Sequence, residues 1–543
     1  MYTSKPPSAR RGRVSRQRIR QFSASLLIAS GLAGCGSSDD AVAVAAPALK
    51  TPSEQCLLLK GRVLGRGEAS IVNASIEAAA GAAPEYCLVQ AKFADSELAF
   101  ETRLPTAGWN KKMVMVGGGG FDGYLAAPTD QTVSPSILTQ RYATLTSNGG
   151  HAMPPTDPAY FKAEFAYNPV QLADYTYASE HRALPLGKEV VEAMYGVAPA
   201  KSFFEGCSMG GHDAMIASQR YPNDFDGIVA KAPAGNIMGL FMQFNRLAKQ
   251  VRTEGASLSP AKRALLESAV AAQCDAVDGL TDGVISKPSA CAYNALALRC
   301  TNGADTGDSC LSDAQIATVN AVTSPVATAD GAWSHSGYNF GLEGNPKGWA
   351  EYIWPVASAP FNGNSLQGLF SDGFIRSFIT RNPHFDTGQW QANDWLAQYS
   401  LIGAMFNASN PDLSGMQSRG AKMIMWNGTN DTSVSARDTA RYYDQVVRKM
   451  GQVNADNVVE LFLAPGVGHC TGGVGPDQVD LMQAVSDWVD KATPPSKQGL
   501  VHAKLDANGK TVLTRPLCKH PSYPRYKGAG DVNDAASFSC STL

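Results

Sequence analysis

Three residues in this chain of 543 have the types and the chain order for acyl transfer. Ser208 stands in Gly206-Cys207-Ser208-Met209-Gly210, a Gly-X-Ser-X-Gly pattern within "KSFFEGCSMGGHDAMIASQRYP". An apolar run precedes the pattern. A helix-forming run with Met215, Ile216 and Ala217 follows it, and Pro222 stands shortly past the end. Strand, sharp turn and helix form the setting of a nucleophile elbow, which lifts a serine hydroxyl above a sheet and aims backbone N–H groups at a substrate. A serine hydroxyl is a weak nucleophile at neutral pH and needs a neutral imidazole to take its proton. His469, in "FLAPGVGHCTGG", is the candidate base. Asp431, in "NGTNDTS", is the candidate acid that fixes the imidazole tautomer and steadies its charge. Asp438 is the rival acid, but it falls inside an expected helix from about 436 to 450. His212, near the elbow, reads as a polar residue on the nucleophile helix. Charge developing on a carbonyl oxygen needs preplaced N–H donors. Met209 supplies one, and the glycine run Gly117 to Gly120 supplies the other, with Gly120 the favoured position.

The elements that must hold these residues follow. "WNKKMVMVGGGG" gives a strand running into the glycine loop, "KMIMWNG" a strand ahead of Asp431, and "VVELFLAPG" a strand whose loop delivers His469. Short strands alternating with helices imply an α/β class, a doubly wound and mostly parallel sheet, and the order Ser, Asp, His is that of an α/β-hydrolase fold. The expected organisation is catalytic halves at 53–235 and 419–543, separated by an inserted lid domain at 236–418. Long insertions between core elements commonly form lids or binding domains.

The chain opens with a basic segment, a short apolar run and Leu32-Ala33-Gly34-Cys35, which reads as an export signal over residues 1–34 of the lipoprotein type. Cys35 is the expected lipidation site and membrane anchor, and residues 35–52 a flexible tether. An ordinary signal peptide cut nearby is the alternative. Both export the protein, to the periplasm, the outer membrane or the medium. Removing the signal takes away seven basic and no acidic residues, leaving 39 basic against 48 acidic, a formal charge of −9. That balance argues against nucleic acid as a partner.

Ten cysteines remain beyond Cys35, an even number that suggests five disulfides in an exported chain. Counting does not fix connectivity. The local choices are Cys56–Cys87, Cys274–Cys291, Cys300–Cys310 and Cys518–Cys540, which leave Cys207 and Cys470 beside Ser208 and His469. A bridge between those two would fasten the base's loop to the elbow; two buried free thiols are the other possibility. Within the lid, Asp275, Asp278 and Asp282 lie among glycines in "CDAVDGLTDGVI" and suit Ca²⁺, which prefers several oxygen ligands. It is not an EF-hand loop, because Ser286 stands where a glutamate is required. Asp-Gly turns without metal are the simpler alternative. No zinc cluster and no organic cofactor are expected.

"GCSMGGHDAMIASQRYPNDFDGIVAKAPA", "CDAVDGLTDGVI", "FLAPGVGHCTGG" and "TRPLCKHPSYPRYKGAGDVNDAASFSC" together resemble the tannase and feruloyl esterase family, across nearly all of the mature chain. The resemblance implies Ser208, Asp431 and His469 as the triad and a Cys207–Cys470 bridge. It also implies calcium held by Asp275, Asp278 and Asp282 with the carbonyls of Leu280 and Val284, and small esters of aromatic acids as substrates. Trp349, Trp354, Phe361, Phe370 and Phe374 are the lid aromatics expected to sandwich a ring. Hydrolysis of a terephthalate monoester is the second substrate reading. It needs a lid arginine for the free carboxylate, for which Arg376 and Arg381 are the candidates. The rival class is a non-catalytic, calcium-binding surface lipoprotein, which would have no need of a triad.

Overall fold

The computed structural model describes residues 51–130, 132–359 and 361–542. The signal segment and Cys35 lie outside them. Of the tether expected over 35–52, only Thr51 and Pro52 lie within the described residues: Thr51 caps a helix that begins at Pro52, accepting the N–H of Glu54 in a reciprocal capping box.

Ten strands form the central sheet: β1 Val63–Leu64, β2 Ala69–Glu77, β3 Tyr86–Phe93, β4 Ala99–Pro105, β5 Lys112–Val116, β6 Ala143–Ser147, β7 Lys201–Cys207, β8 Gly227–Lys231, β9 Lys422–Gly428 and β10 Val459–Ala464. Their spatial order is β1-β2-β3-β4-β6-β5-β7-β8-β9-β10. The first four form an antiparallel meander that joins β6, and from β6 onward the sheet is parallel. Parallel strands covered on both faces read as nearly unbroken apolar runs, and these do so because successive side chains enter different cores. Met113, Met115, Phe204, Met423 and Met425 face one core with helices Ser179–Tyr195, Met209–Arg220 and Ala436–Met450. Val114, Val116, Phe203, Ile424 and Trp426 face the other, against helix Leu481–Lys491.

The inserted segment packs around two cores, one of its own and one shared with the hydrolase half. Trp349, Trp354, Leu266, Val270 and Val319 fill one. The other is aromatic, and lies between helix Ile237–Arg252, helix Leu366–Phe374 and the nucleophile elbow. Five disulfides tie the described chain: Cys56–Cys87, Cys207–Cys470, Cys274–Cys291, Cys300–Cys310 and Cys518–Cys540. That number of bridges fits an oxidising compartment.

Candidate active site

Strand β7 ends at Cys207, and Ser208 takes φ 63° before the helix starts at Met209. This left-handed conformation is strained for a residue with a side chain and is the mark of a nucleophile elbow. The elbow is tight enough to require glycine on both sides. A Cβ on Gly206 would run into the Gly210 backbone, and one on Gly210 would approach the Gly118 carbonyl to 2.8 Å. Met209 is the first helical residue, so its N–H has no acceptor within the helix. The glycine loop faces it. Gly120 has φ 61°, its carbonyl accepts the Tyr175 hydroxyl at 2.9 Å, and the next N–H, of Phe121, donates to the Tyr160 hydroxyl at 2.6 Å. Two buried tyrosines therefore fix the loop from behind.

Asp431 follows β9 and His469 follows β10. Nδ1 of His469 lies 2.8 Å from Oδ2 of Asp431, while the other oxygen, Oδ1, accepts the N–H groups of Ser433 and Val434 at 2.7 and 2.8 Å. With its carboxylate fixed by two backbone donors, Asp431 can hold the ring in one tautomer, with Nε2 free as a base. Burial alone would lower the His469 pKa. The charge of Asp431 and the hydrogen bond to it outweigh burial and hold the pKa above its ordinary value. The rival acid, Asp438, is engaged elsewhere: it accepts from the N–H and hydroxyl of Ser336 and from Asn236, and pairs with Arg441. His212 is fully buried, with Nε2 2.7 Å from the Phe406 carbonyl, and burial pushes its pKa down to about 4.

The Cys207–Cys470 bridge, with its Cα atoms 6.2 Å apart, joins the elbow directly to the histidine loop. Ser208 and His469 consequently open into one cavity of about 410 Å³, together with Gly120 and Met209. Tyr352 sets its ring edge-on to His469, with centroids 5.3 Å apart. The opposite wall is aromatic, formed by Phe161, Phe241, Phe244 and Phe370 with Ile237 and Leu240.

That wall differs from the one expected. Of the five lid aromatics singled out in the sequence, Phe370 alone lines the cavity. Trp349 and Trp354 fill the lid's own core, because a segment of this size must bury apolar surface of its own; Phe374 lies one layer back, stacked on Phe241 at 4.0 Å. Ile237, Leu240, Phe241 and Phe244 recur at helical spacing along one face of helix Ile237–Arg252. That periodicity was the available signal for them. Neither candidate arginine reaches the cavity. Arg376 donates to the Phe385 carbonyl, and Arg381 to the carbonyls of Ala166, Ser377 and Tyr167. Among the described residues, no lysine or arginine lines this cavity.

The aspartate loop of the lid lies apart from this cavity. Asp275 Oδ1 and Asp278 Oδ2 are buried oxygens with no hydrogen-bond partner. Their second oxygens accept the N–H groups of Gly283 and Leu280. Asp282 accepts from Val284 N–H and pairs with Arg515 at 2.5 Å. Burial, reinforced by the neighbouring Asp282 and Asp275, pushes the Asp278 pKa up to about 6. Two orphaned buried carboxylate oxygens fit a hard cation. No group of three acidic, histidine or cysteine side chains converges for a metal among the described residues, so carbonyl oxygens would have to complete the shell.

The parallel sheet with its serine elbow makes the chain an α/β-hydrolase. Its backbone is similar to that of feruloyl esterase B from Aspergillus oryzae, with TM-score 0.77 and 22% identity over 90% of this chain and all of that one. The chain belongs to the tannase and feruloyl esterase family, whose model matches residues 88–541. Among the relatives, mono(2-hydroxyethyl) terephthalate hydrolase of Piscinibacter sakaiensis is 32% identical over 524 residues, covering 85% of this chain and 86% of that protein. Feruloyl esterase B of Aspergillus niger is 28% identical over 495 residues, covering 87% and 89%. The protein is accordingly a carboxylic ester hydrolase.

Proposed function

We propose that this chain is an exported serine esterase that hydrolyses esters of aromatic acids with no second carboxyl group, hydroxycinnamic or hydroxybenzoic, through an acyl-enzyme. The observation that carries the reading is the composition of one cavity: an elbow serine and an aspartate-paired histidine on one wall, four phenylalanines on the other, and no cation on either. Nε2 of His469 takes the Ser208 proton as Oγ attacks the ester carbonyl, and Asp431 balances the imidazolium that forms. The N–H groups of Met209 and Gly120 receive the oxyanion. His469 then protonates the leaving alcohol, and a water activated by the same imidazole releases the acid. The aromatic wall supplies apolar area for a ring. A free terephthalate carboxylate would find no counter-charge there, which disfavours the monoester reading despite the 32% identical relative.

The test is turnover on methyl ferulate, methyl gallate, chlorogenic acid and mono(2-hydroxyethyl) terephthalate. A kcat/KM for the terephthalate monoester above that for both methyl esters would reverse the substrate assignment.

Calcium belongs to the same proposal. Asp275 and Asp278, through their unpartnered oxygens, would hold it with the carbonyls of Leu280 and Val284, and when bound it would neutralise these buried carboxylates; Asp282, the third expected ligand, is paired with Arg515 instead. The hydrolytic step does not use it. Export and anchoring through Cys35 remain the reading of the N-terminal sequence.

A further inference from the structure

The two N–H groups that receive the oxyanion are held by different means. That of Met209 belongs to the first turn of helix Met209–Arg220, so the helix itself sets its direction. Gly120 stands outside any helix or strand, at the end of four consecutive glycines. Glycine is the least restricted residue, so the direction of the Gly120 N–H is left to whatever touches the loop.

Tyr160 touches it on both sides. Its hydroxyl accepts the N–H of Phe121 at 2.6 Å and donates to the carbonyl of Gly119 at 3.4 Å, so one oxygen grips the peptide groups before and after Gly120. The Gly119 carbonyl also accepts the N–H of Asp122 at 3.0 Å. In a trans peptide, as this one is, C=O and N–H point to opposite sides of the chain. Holding the Gly119 carbonyl against Tyr160 and Asp122 therefore turns the Gly120 N–H the other way. Among the described residues that N–H has no acceptor, and Gly120 lines the catalytic cavity. A Cβ on Gly120 would run into the Tyr160 hydroxyl, so only glycine lets the loop close on the tyrosine. Tyr160 is itself fixed: it is 4% exposed, and its turn, Tyr160–Lys162, is tied to the inserted segment by Ser377, whose Oγ donates to the Lys162 carbonyl at 2.7 Å. Burial raises its pKa, so the hydroxyl keeps the proton it donates.

We propose that Tyr160 is a positioning residue for ester hydrolysis: its hydroxyl aims the Gly120 N–H at the developing oxyanion, and Tyr175 supports it by donating to the Gly120 carbonyl at 2.9 Å. The assignment rests on the acyl-enzyme reading, with Gly120 as the second donor. A donor stabilises the transition state to the extent that it is in place before the charge develops. Tyr160 supplies that preplacement through the main chain.

The test compares two inhibitors on the wild-type protein and on Tyr160→Phe. Trifluoroacetophenone takes Ser208 Oγ at its carbonyl carbon while His469 takes the serine proton, and its carbonyl oxygen becomes the oxyanion; benzamide does not react and reports ground-state binding alone. Wild type should bind the ketone at least about a hundredfold more tightly than the amide. Tyr160→Phe should weaken the ketone by about thirtyfold, lower kcat for methyl ferulate by a similar factor, and leave KM and the affinity for benzamide within about threefold. Tyr175→Phe should show the same split at about tenfold, which decides the question if Tyr160→Phe fails to fold. A wild type without preference for the ketone would defeat the acyl-enzyme reading and this proposal with it. Given that preference, variants that bind the ketone as wild type does, or that lose ketone and amide alike, would overturn the role of Tyr160 alone.

Discussion

The two walls of the catalytic cavity are built by different means. On the hydrolase wall, position is set by main chain and covalent bonds. Ser208 and Cys470 both hold φ 63°, a disulfide joins Cys207 to Cys470, and the Asp431 carboxylate accepts two backbone N–H groups besides facing His469. On the lid wall, to which Phe161 of the catalytic half also contributes, position is set by side chains resting on one another. Phe241 stacks on Phe374 at 4.0 Å, and Phe161 meets Phe370 edge-on at 5.1 Å. Proton transfer and attack lose rate with a displacement of about 1 Å, whereas a ring needs only enough apolar surface to cover it. The first wall should therefore govern kcat, and the second KM.

The sharpest way to break this division is at the acid. Asp431→Asn should lower kcat by about 10⁴-fold, because the amide no longer fixes the productive tautomer, while Asp438→Asn stays within a few-fold of wild type. The reverse order would transfer the role to Asp438. The pH profile gives an independent sign. Catalysis needs neutral His469, and Asp431 holds that group's pKa above its ordinary value, so activity should rise with pH through an apparent pKa above 6.5. Substitution by asparagine should move that limb to lower pH.

The clamp comes next in size. Cys207→Ala combined with Cys470→Ala leaves serine and histidine chemically intact but frees their loops, so kcat should fall by about a hundredfold with KM little changed. A variant that only melts earlier, and turns over normally below its melting point, would make the bridge a matter of stability alone. On the other wall, Phe370→Ala should raise KM for methyl ferulate by about tenfold and leave kcat within about threefold. A fall in kcat of the clamp's size would erase the distinction between the walls.

What the sequence discloses follows the same division. The serine elbow and the strands at 422–428 and 459–464 that precede Asp431 and His469 were legible, because each is a local pattern of residue types. The helix at 436–450, expected from the same pattern, is present with those bounds. The lid wall was not legible. Phe241 and Phe244 show the helical spacing of any core-facing stripe, and only the packed structure separates them from Trp349 and Trp354, which fill a core. Nor does a sequence reveal that Arg381 gives its guanidinium to the Ala166, Ser377 and Tyr167 carbonyls.

The smallest expected effect lies outside both walls. With its pKa raised by burial, metal-free Asp278 favours the protonated form in the folded lid, so this contribution to stability is lost as pH rises through about 6. Calcium should reverse the trend. Chelation above that pH should lower Tm by a few degrees, and by less at pH 4, without changing kcat in protein that stays folded. An unchanged Tm at pH 8 would leave the loop as a set of metal-free turns.

The most direct test of the central claim is a non-reducing peptide map of protein treated with an aryl fluorophosphonate, which labels an activated serine. One cross-linked species should appear, joining the Cys207 peptide to the Cys470 peptide and carrying the phosphonyl group on Ser208, with loss of ester hydrolysis in proportion to labelling. Label on another residue, or either cysteine joined elsewhere, would contradict the account.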